Sequence, residues 1–143
     1  MRNRLIRNQR GAALLETAIT LPLILLVSVA IFEFGRAYQT WQVLTNAARE
    51  GARVAVINGT PVEDIKTAVK KYAEIGGLTL TDAQISLDQG VALGGSWTGS
   101  QVTISYPFQF IVLNPVAQMV KSGSKTGEAL TMSAVAVMRN EGL

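Results

Sequence analysis

One stretch constrains this chain more than any other: Arg10 to Tyr38, RGAALLETAITLPLILLVSVAIFEFGRAY. A basic leader with Arg2, Arg4, Arg7 and Arg10 stops at Gly11, and from Thr17 to Phe32 there is no charged residue. Residues 12–34 form a helix of roughly 34 Å at 1.5 Å per residue, long enough to cross a bilayer. The exception within the apolar run is Glu16, near its head. A carboxylate there is costly to bury in lipid, so it calls for a functional explanation.

The arginines explain the overall charge. The net charge is +3, but without those four residues nine basic side chains face ten acidic ones. The remaining Lys and Arg are scattered, so there is no nucleic-acid footprint. The leader instead reads as a positive-inside signal that keeps the N-terminus cytoplasmic. The 143 residues leave room for one small domain beside the apolar helix. With no His and no Cys, a Ser-His-Asp or Cys-His catalytic unit, a disulfide framework and a Cys/His zinc site are all excluded. No cofactor or metal site is expected. Asp82, Asp88 and Glu128 are candidates for a carboxylate pair, but no spacing brings two of them together.

Two readings compete for the apolar run. Ser28-Val29-Ala30 resembles a small-x-small signal cleavage site. Against it, the helical pattern continues without a break. Glu33, Phe34, Ala37, Tyr38, Trp41, Leu44, Ala48, Ala52 and Ala55 recur at steps of three and four. Gln39, Gln42, Asn46, Arg49, Glu50 and Arg53 occupy the opposite face. This favours one retained helix of about 45 residues, half in lipid and half amphipathic. Glu33 and Arg36 are spaced to pair at i,i+3 where the helix leaves the membrane. Tyr38 and Trp41 suit either the interface or, for Trp41, the domain core.

The helix is expected to end at Asn58-Gly59-Thr60-Pro61, a turn cluster that also matches a glycosylation sequon. Thr60 as N-cap, Pro61 at N1 and Glu63 at N3 predict a capping box for a second helix. Its buried stripe would be Ile65, Ala68, Val69, Tyr72 and Ala73, its solvated face Lys66, Lys70 and Lys71, and its end Gly76-Gly77. The period then changes from 3.6 to 2. Ile85 and Leu87 alternate with polar neighbours, as do Val102 to Tyr106 up to Pro107, and Leu130 to Met138. Gly90 to Ser100 reads as a glycine-rich connection whose glycines lack the spacing of a phosphate loop. Residues 108–120 predict an irregular loop with a short helix after Pro115, and 121–127 a polar turn. The expected fold is α+β: a long N-terminal helix laying its C-terminal half on about three mostly antiparallel strands, plus a second short helix. Trp41, Leu44, Val102, Ile104 and Val135 or its neighbours are the expected core.

The run at 10–38, followed by TNAAREGARVAV at 45–56, resembles the TadE-like family of tight-adherence (Flp) pilus proteins, minor pilins or pseudopilins of the type IV filament superfamily. The likeness is strong over 10–57. Beyond that, SYPFQF at 105–110 and SAVAVMRNEG at 133–142 still agree. The family often has an aromatic after the glutamate, where this chain has Thr17. The resemblance implies a pilin-like fold, no enzymatic activity, and a prepilin peptidase that cuts between Gly11 and Ala12. The leader 1–11 would be removed, 12–35 would span the bacterial inner membrane, and 36–143 would form a periplasmic domain. Implied partners are other pilin subunits, the peptidase, the inner-membrane assembly machinery and the lipid bilayer. Glu16 would be the fifth mature residue and the assembly handle. Asn46, Ala47, Arg49, Glu50, Gly51 and Arg53 are either a solvated helix face, with Gly51 and Ala52 allowing close approach of a strand, or a subunit contact. A signal-anchored periplasmic binding domain unrelated to pili is the alternative function.

Overall fold

A computed structural model describes residues 9–120 and 129–140. Helix α1 runs without interruption from Gln9 to Ala55, through Pro22. Its first half touches nothing else, for every residue from Gly11 to Ser28 is exposed. Its second half carries the rest of the described chain: α2 (Val62–Ile75), β1 (Ile85–Gly94), β2 (Trp97–Phe108), α3 (Leu113–Val120) and β3 (Leu130–Arg139). The strands form an antiparallel meander in the order β1-β2-β3. This is the expected α+β plan, with one long helix, a second shorter helix and a small antiparallel sheet.

The sheet packs by strand alternation. Val102 faces Leu87 on one side and Ala136 on the other, and Ile104 faces Ile85 and Ala134. Successive side chains alternate between faces, so these six residues share the face turned to α1. From the helix, Leu44, Ala47, Ala48, Ala52 and Ala55 meet them in one core, which Ile65, Val69 and Ala73 of α2 complete. Small residues on α1 bring its axis close to both neighbours. Gly51 marks a close approach: a Cβ there would run into Val69 Cγ2 and lie 3.4 Å from Val102 Cγ1.

A buried polar contact ties the end of α1 to the sheet. The Ser100 hydroxyl on β2 is 3.1 Å from the carbonyl of Ala55 and 2.7 Å from Asn140 Oδ1. Its one proton serves either acceptor. The Asn140 amide nitrogen in turn donates to the carbonyl of Gln89, so β1, β2, α1 and the residue after β3 meet in one network.

Several local expectations are corrected. Trp41 is 45% exposed and outside the core. The buried line of α1 passes through Glu33, Thr40, Leu44, Ala47 and Ala48, and Trp41 lies one residue, or about 100°, off Thr40. Phe34 and Tyr38 are exposed for the same reason. The core position expected at Val135 or its neighbours is taken by the neighbours: Ala134 and Ala136 are buried and Val135 is exposed. In α2, Tyr72 is exposed and Ala68 half-buried, leaving Ile65, Val69 and Ala73 as the buried stripe.

The capping box at Thr60 does not form. Pro61 is the N-cap of α2, and the Thr60 hydroxyl donates to the Ile57 carbonyl instead. The expected Gly76-Gly77 stop does hold. Leu78 N–H donates to the Ala73 carbonyl and Gly77 N–H to Glu74, the bonding of a Schellman motif. The lysine face is partly paired: Lys66 meets Glu63 at 3.5 Å, and Lys70 meets Asp82 at 2.6 Å.

The connection expected over Gly90 to Ser100 is mostly strand. Gly94 pairs with Trp97, which leaves a two-residue loop, Gly95-Ser96. Gly95 has φ +63° and Ser96 has no positive φ, the sequence of dihedrals that a type II′ hairpin needs. Pro107 does not end β2, which reaches Phe108 with Pro107 opposite Thr131. Helix α3 starts before Pro115, which sits in its first turn, where no N–H is required. The turn expected at 121–127, the leader residues before Gln9 and Glu128 lie outside the described residues.

Candidate functional site

The apolar half of α1 satisfies its own side-chain hydroxyls. The hydroxyls of Thr17, Thr20 and Ser28 donate to the carbonyls of Ala13, Glu16 and Ile24, at 2.7–2.9 Å. Such back-bonding is how a helix carries hydroxyls where no water is available. Pro22 has no N–H to offer the Ala18 carbonyl, yet the helix continues. Gly11 and Ala12 lie in its first turns, exposed, and the helix passes straight through the bond between them. Glu16 is exposed on the same rod, at the rim of a shallow groove formed with Thr17, Thr20, Leu21 and Ile24.

A second set of residues gathers where α1 meets the domain. Glu33 is fully buried. Its Oε1 accepts hydrogen bonds from the backbone N–H groups of Ile111 and Val112, both at 2.8 Å. Its Oε2 accepts from Arg36 at 3.2 Å, the i,i+3 pair that the spacing predicts. Arg36 also lies 5.3 Å from the centre of the Phe108 ring. Phe110 packs edge-on against Phe108 at 5.2 Å and against Phe34 at 6.0 Å. The SYPFQF run therefore places both its phenylalanines at the foot of the domain, and Glu33 locks the two residues that follow. Sequence reasoning found the Glu33–Arg36 pair but missed the amides, which are 78 and 79 residues away. A readable signal was a carboxylate on the domain-facing line of the helix with one cation for company.

On the far part of α1, Arg53 grips Glu50 through two bonds, Nε to Oε2 at 2.9 Å and Nη2 to Oε1 at 2.6 Å. The Arg53 guanidinium holds the Glu50 carboxyl below its ordinary value, against an opposing push from burial. Arg49 is exposed beside the pair. Asn46 is half-buried, and Ala47 and Gly51 belong to the core. Only part of this expected patch is therefore solvent-facing. A depressed carboxylate pKa stabilises the fold above its unfolded value of about 4.3, and that contribution is lost as pH falls through the lower folded value. Glu50→Gln is expected to cost about 0.5 kcal/mol in urea unfolding at pH 7. The difference from wild type should vanish at a pH below the folded pKa of Glu50.

Two of the three candidate acidic residues lie within the described residues, each with its own partner. Asp82 pairs with Lys70, which lowers its pKa, and Asp88 Oδ1 accepts from Gly90 N–H.

A long helix whose apolar half is bare and whose other half carries a small sheet fits a single-pass membrane anchor with an attached domain. The family model described as TadE-like protein matches residues 11–53, so α1 is TadE-like over almost its whole length. The match includes Gly11, Glu16, Glu33 and Arg36. No curated protein and no solved structure matches the chain.

Proposed function

We propose that this protein is a minor pilin or pseudopilin of a Flp/Tad adhesion pilus, a structural subunit rather than an enzyme. It would be anchored in the bacterial inner membrane with its N-terminus cytoplasmic and residues 36–143 periplasmic. The observation that carries the reading is the TadE-like helix itself: Gly11, then Glu16, then an unburied apolar rod joined without a break to the domain. A prepilin peptidase would cut between Gly11 and Ala12, where glycine lets an enzyme approach closely. The rod would then enter the filament through other pilin subunits and the assembly machinery.

In this reading Glu16 serves recruitment. Cleavage gives Ala12 a free amine, positive at neutral pH, one helical turn from Glu16. An unpaired carboxylate in hydrocarbon costs about 2.5–3.5 kcal/mol on insertion scales. When rods pack side by side and water leaves, the amine of an adjacent subunit compensates both charges. The pairing also fixes the axial stagger of one helix on the next, as buried polar groups do in coiled coils.

Two measurements test this. Mass spectrometry of the membrane-extracted protein should find Ala12 at the mature N-terminus; Ile31 there would mean removal of the rod as a secretory signal. Glu16→Ala should leave the protein inserted, processed and folded while abolishing its recovery in sheared filaments. Wild-type recovery of Glu16→Ala would remove the assembly role.

A further inference from the structure

The foot of the domain carries an apolar surface that the core does not use. Ile111 is 62% exposed and Val112 40% exposed. Both are held to one level of α1, because their N–H groups bond the Glu33 carboxylate at 2.8 Å. Around that level Ile31, Phe32 and Phe34 of α1 are also exposed. The chain has no charged residue between Asp88 and Lys121, a span that includes all of the foot outside α1. Arg36 lies at this level of α1, and its side chain is occupied with Glu33 and Phe108.

The position of this surface follows from helix geometry. From Gly11 to Glu33 α1 rises about 33 Å, against a hydrocarbon thickness of about 30 Å. If Gly11 sits at the inner face of the bilayer, Glu33 sits at its outer edge, and Ile111 and Val112 sit there with it. We propose that the loop from Phe110 to Val112 is a second membrane contact, with Ile111 and Val112 seated in the lipid of the outer interface. The occupant is bilayer lipid, because the exposed loop is continuous with the apolar surface of the rod. The buried Glu33 carboxylate satisfies the amides of Ile111 and Val112, so the loop enters the interface without unpaired N–H groups at those positions. The domain is then held to the bilayer at two points, which fixes its tilt and rotation about the rod.

This inference rests on reading α1 as a membrane span, and the test separates the two. The chain has no cysteine, so a single introduced cysteine takes an environment-sensitive fluorophore at one site. Full-length Ile111→Cys, Val27→Cys and Ile57→Cys would each be labelled and reconstituted in phosphatidylcholine–phosphatidylglycerol vesicles. Some of the lipid would carry a doxyl quencher near the head of the acyl chain. All three parent side chains are exposed, so the label displaces no core contact. Ile57 lies beyond the far end of α1 and serves as the aqueous reference. The expected result is a blue-shifted label at position 111, quenched by the lipid severalfold more than the label at 57. Equal quenching at 111 and 57, with the label at 27 in lipid, overturns the proposal and leaves the anchor intact. A blue shift at 111 without lipid quenching overturns it as well, because a protein surface then covers the loop. Absence of quenching at 27 and 111 together overturns both readings.

Discussion

Glu33→Ala is expected to loosen the foot of the domain by about 3–6 kcal/mol. The estimate follows from what the carboxylate holds. Two backbone N–H groups lose a charged acceptor, and bonds of that kind contribute about 1.5–3 kcal/mol each. Arg36 also loses its partner, but its guanidinium is one-third exposed, so water compensates much of that loss. Amide exchange of the full chain in detergent should show Ile111 and Val112 losing protection. Core strand positions such as Val102 and Ile104 should change far less. Glu33→Gln keeps a neutral acceptor at the same place and should cost about 1 kcal/mol. Wild-type protection of the two amides in Glu33→Ala would show that the loop holds itself without the carboxylate.

The second large effect is expected at Gly51. In an open helix, Gly→Ala gains about 1 kcal/mol. Here the new methyl would run into Val69 Cγ2, and Val69 is fully buried. Either α2 moves away from α1 or Val69 leaves its rotamer, and overpacking of this kind costs about 1–3 kcal/mol. Gly51→Leu should exceed that range, since its longer side chain would also press on Val102. A double-mutant cycle isolates the cause. Val69→Ala alone should destabilise through the cavity it leaves, yet combined with Gly51→Ala it should restore part of the loss. Strict additivity of the two in thermal unfolding would place the strain elsewhere.

These two sites show which parts of the molecule were readable in the sequence. The long helix was legible because its signal is redundant: residues 17–32 carry no charge, and the small-residue stripe from Leu44 to Ala55 keeps its period over three turns. The three strands were legible from alternation alone. Trp41 was misread because a helical stripe has a width. From the sequence, Trp41 and Thr40 are equally near its edge, and aromatic size argued for the residue that in fact faces outward. The capping box at Thr60 failed for a different reason. Three residues matched the pattern, but the helix starts one residue later, with Pro61 as N-cap and Val62 as its first residue, so Glu63 does not stand at N3 of a Thr60 cap. The reciprocal bond of such a box does occur elsewhere, from Thr81 N–H to Gln84 Oε1. Gly51 was singled out as a place for close approach by a strand; that α2 presses harder than β2 depends on a helix crossing that no local pattern encodes. The Glu33 lock was the least legible feature, because its acceptor and donors lie at opposite ends of the chain and an ambiguous apolar run hid the donors.

The placement of α1 also has a consequence for how the chain is made. The helix leaves the ribosome before the strands that cover it, and two of the covering residues, Ala134 and Ala136, are in β3. At about 5–20 residues per second, the interval between Leu44 and Ala134 is on the order of ten seconds. Until β1 and β2 are made, the inner side of residues 44–55 has no sheet to lie on, and until β3 is made that sheet is incomplete. A row of leucines or phenylalanines there would offer a sticky surface to every other unfinished chain nearby. Instead the row is Leu44 followed by Ala47, Ala48, Gly51, Ala52 and Ala55. Each of those small residues presents little apolar area while it waits, and the large partners, Val102 and Ile104, arrive with the strand that is paired as soon as it is complete. The same choice of side chains that lets the helix lie close to the sheet also keeps the half-synthesised protein inconspicuous.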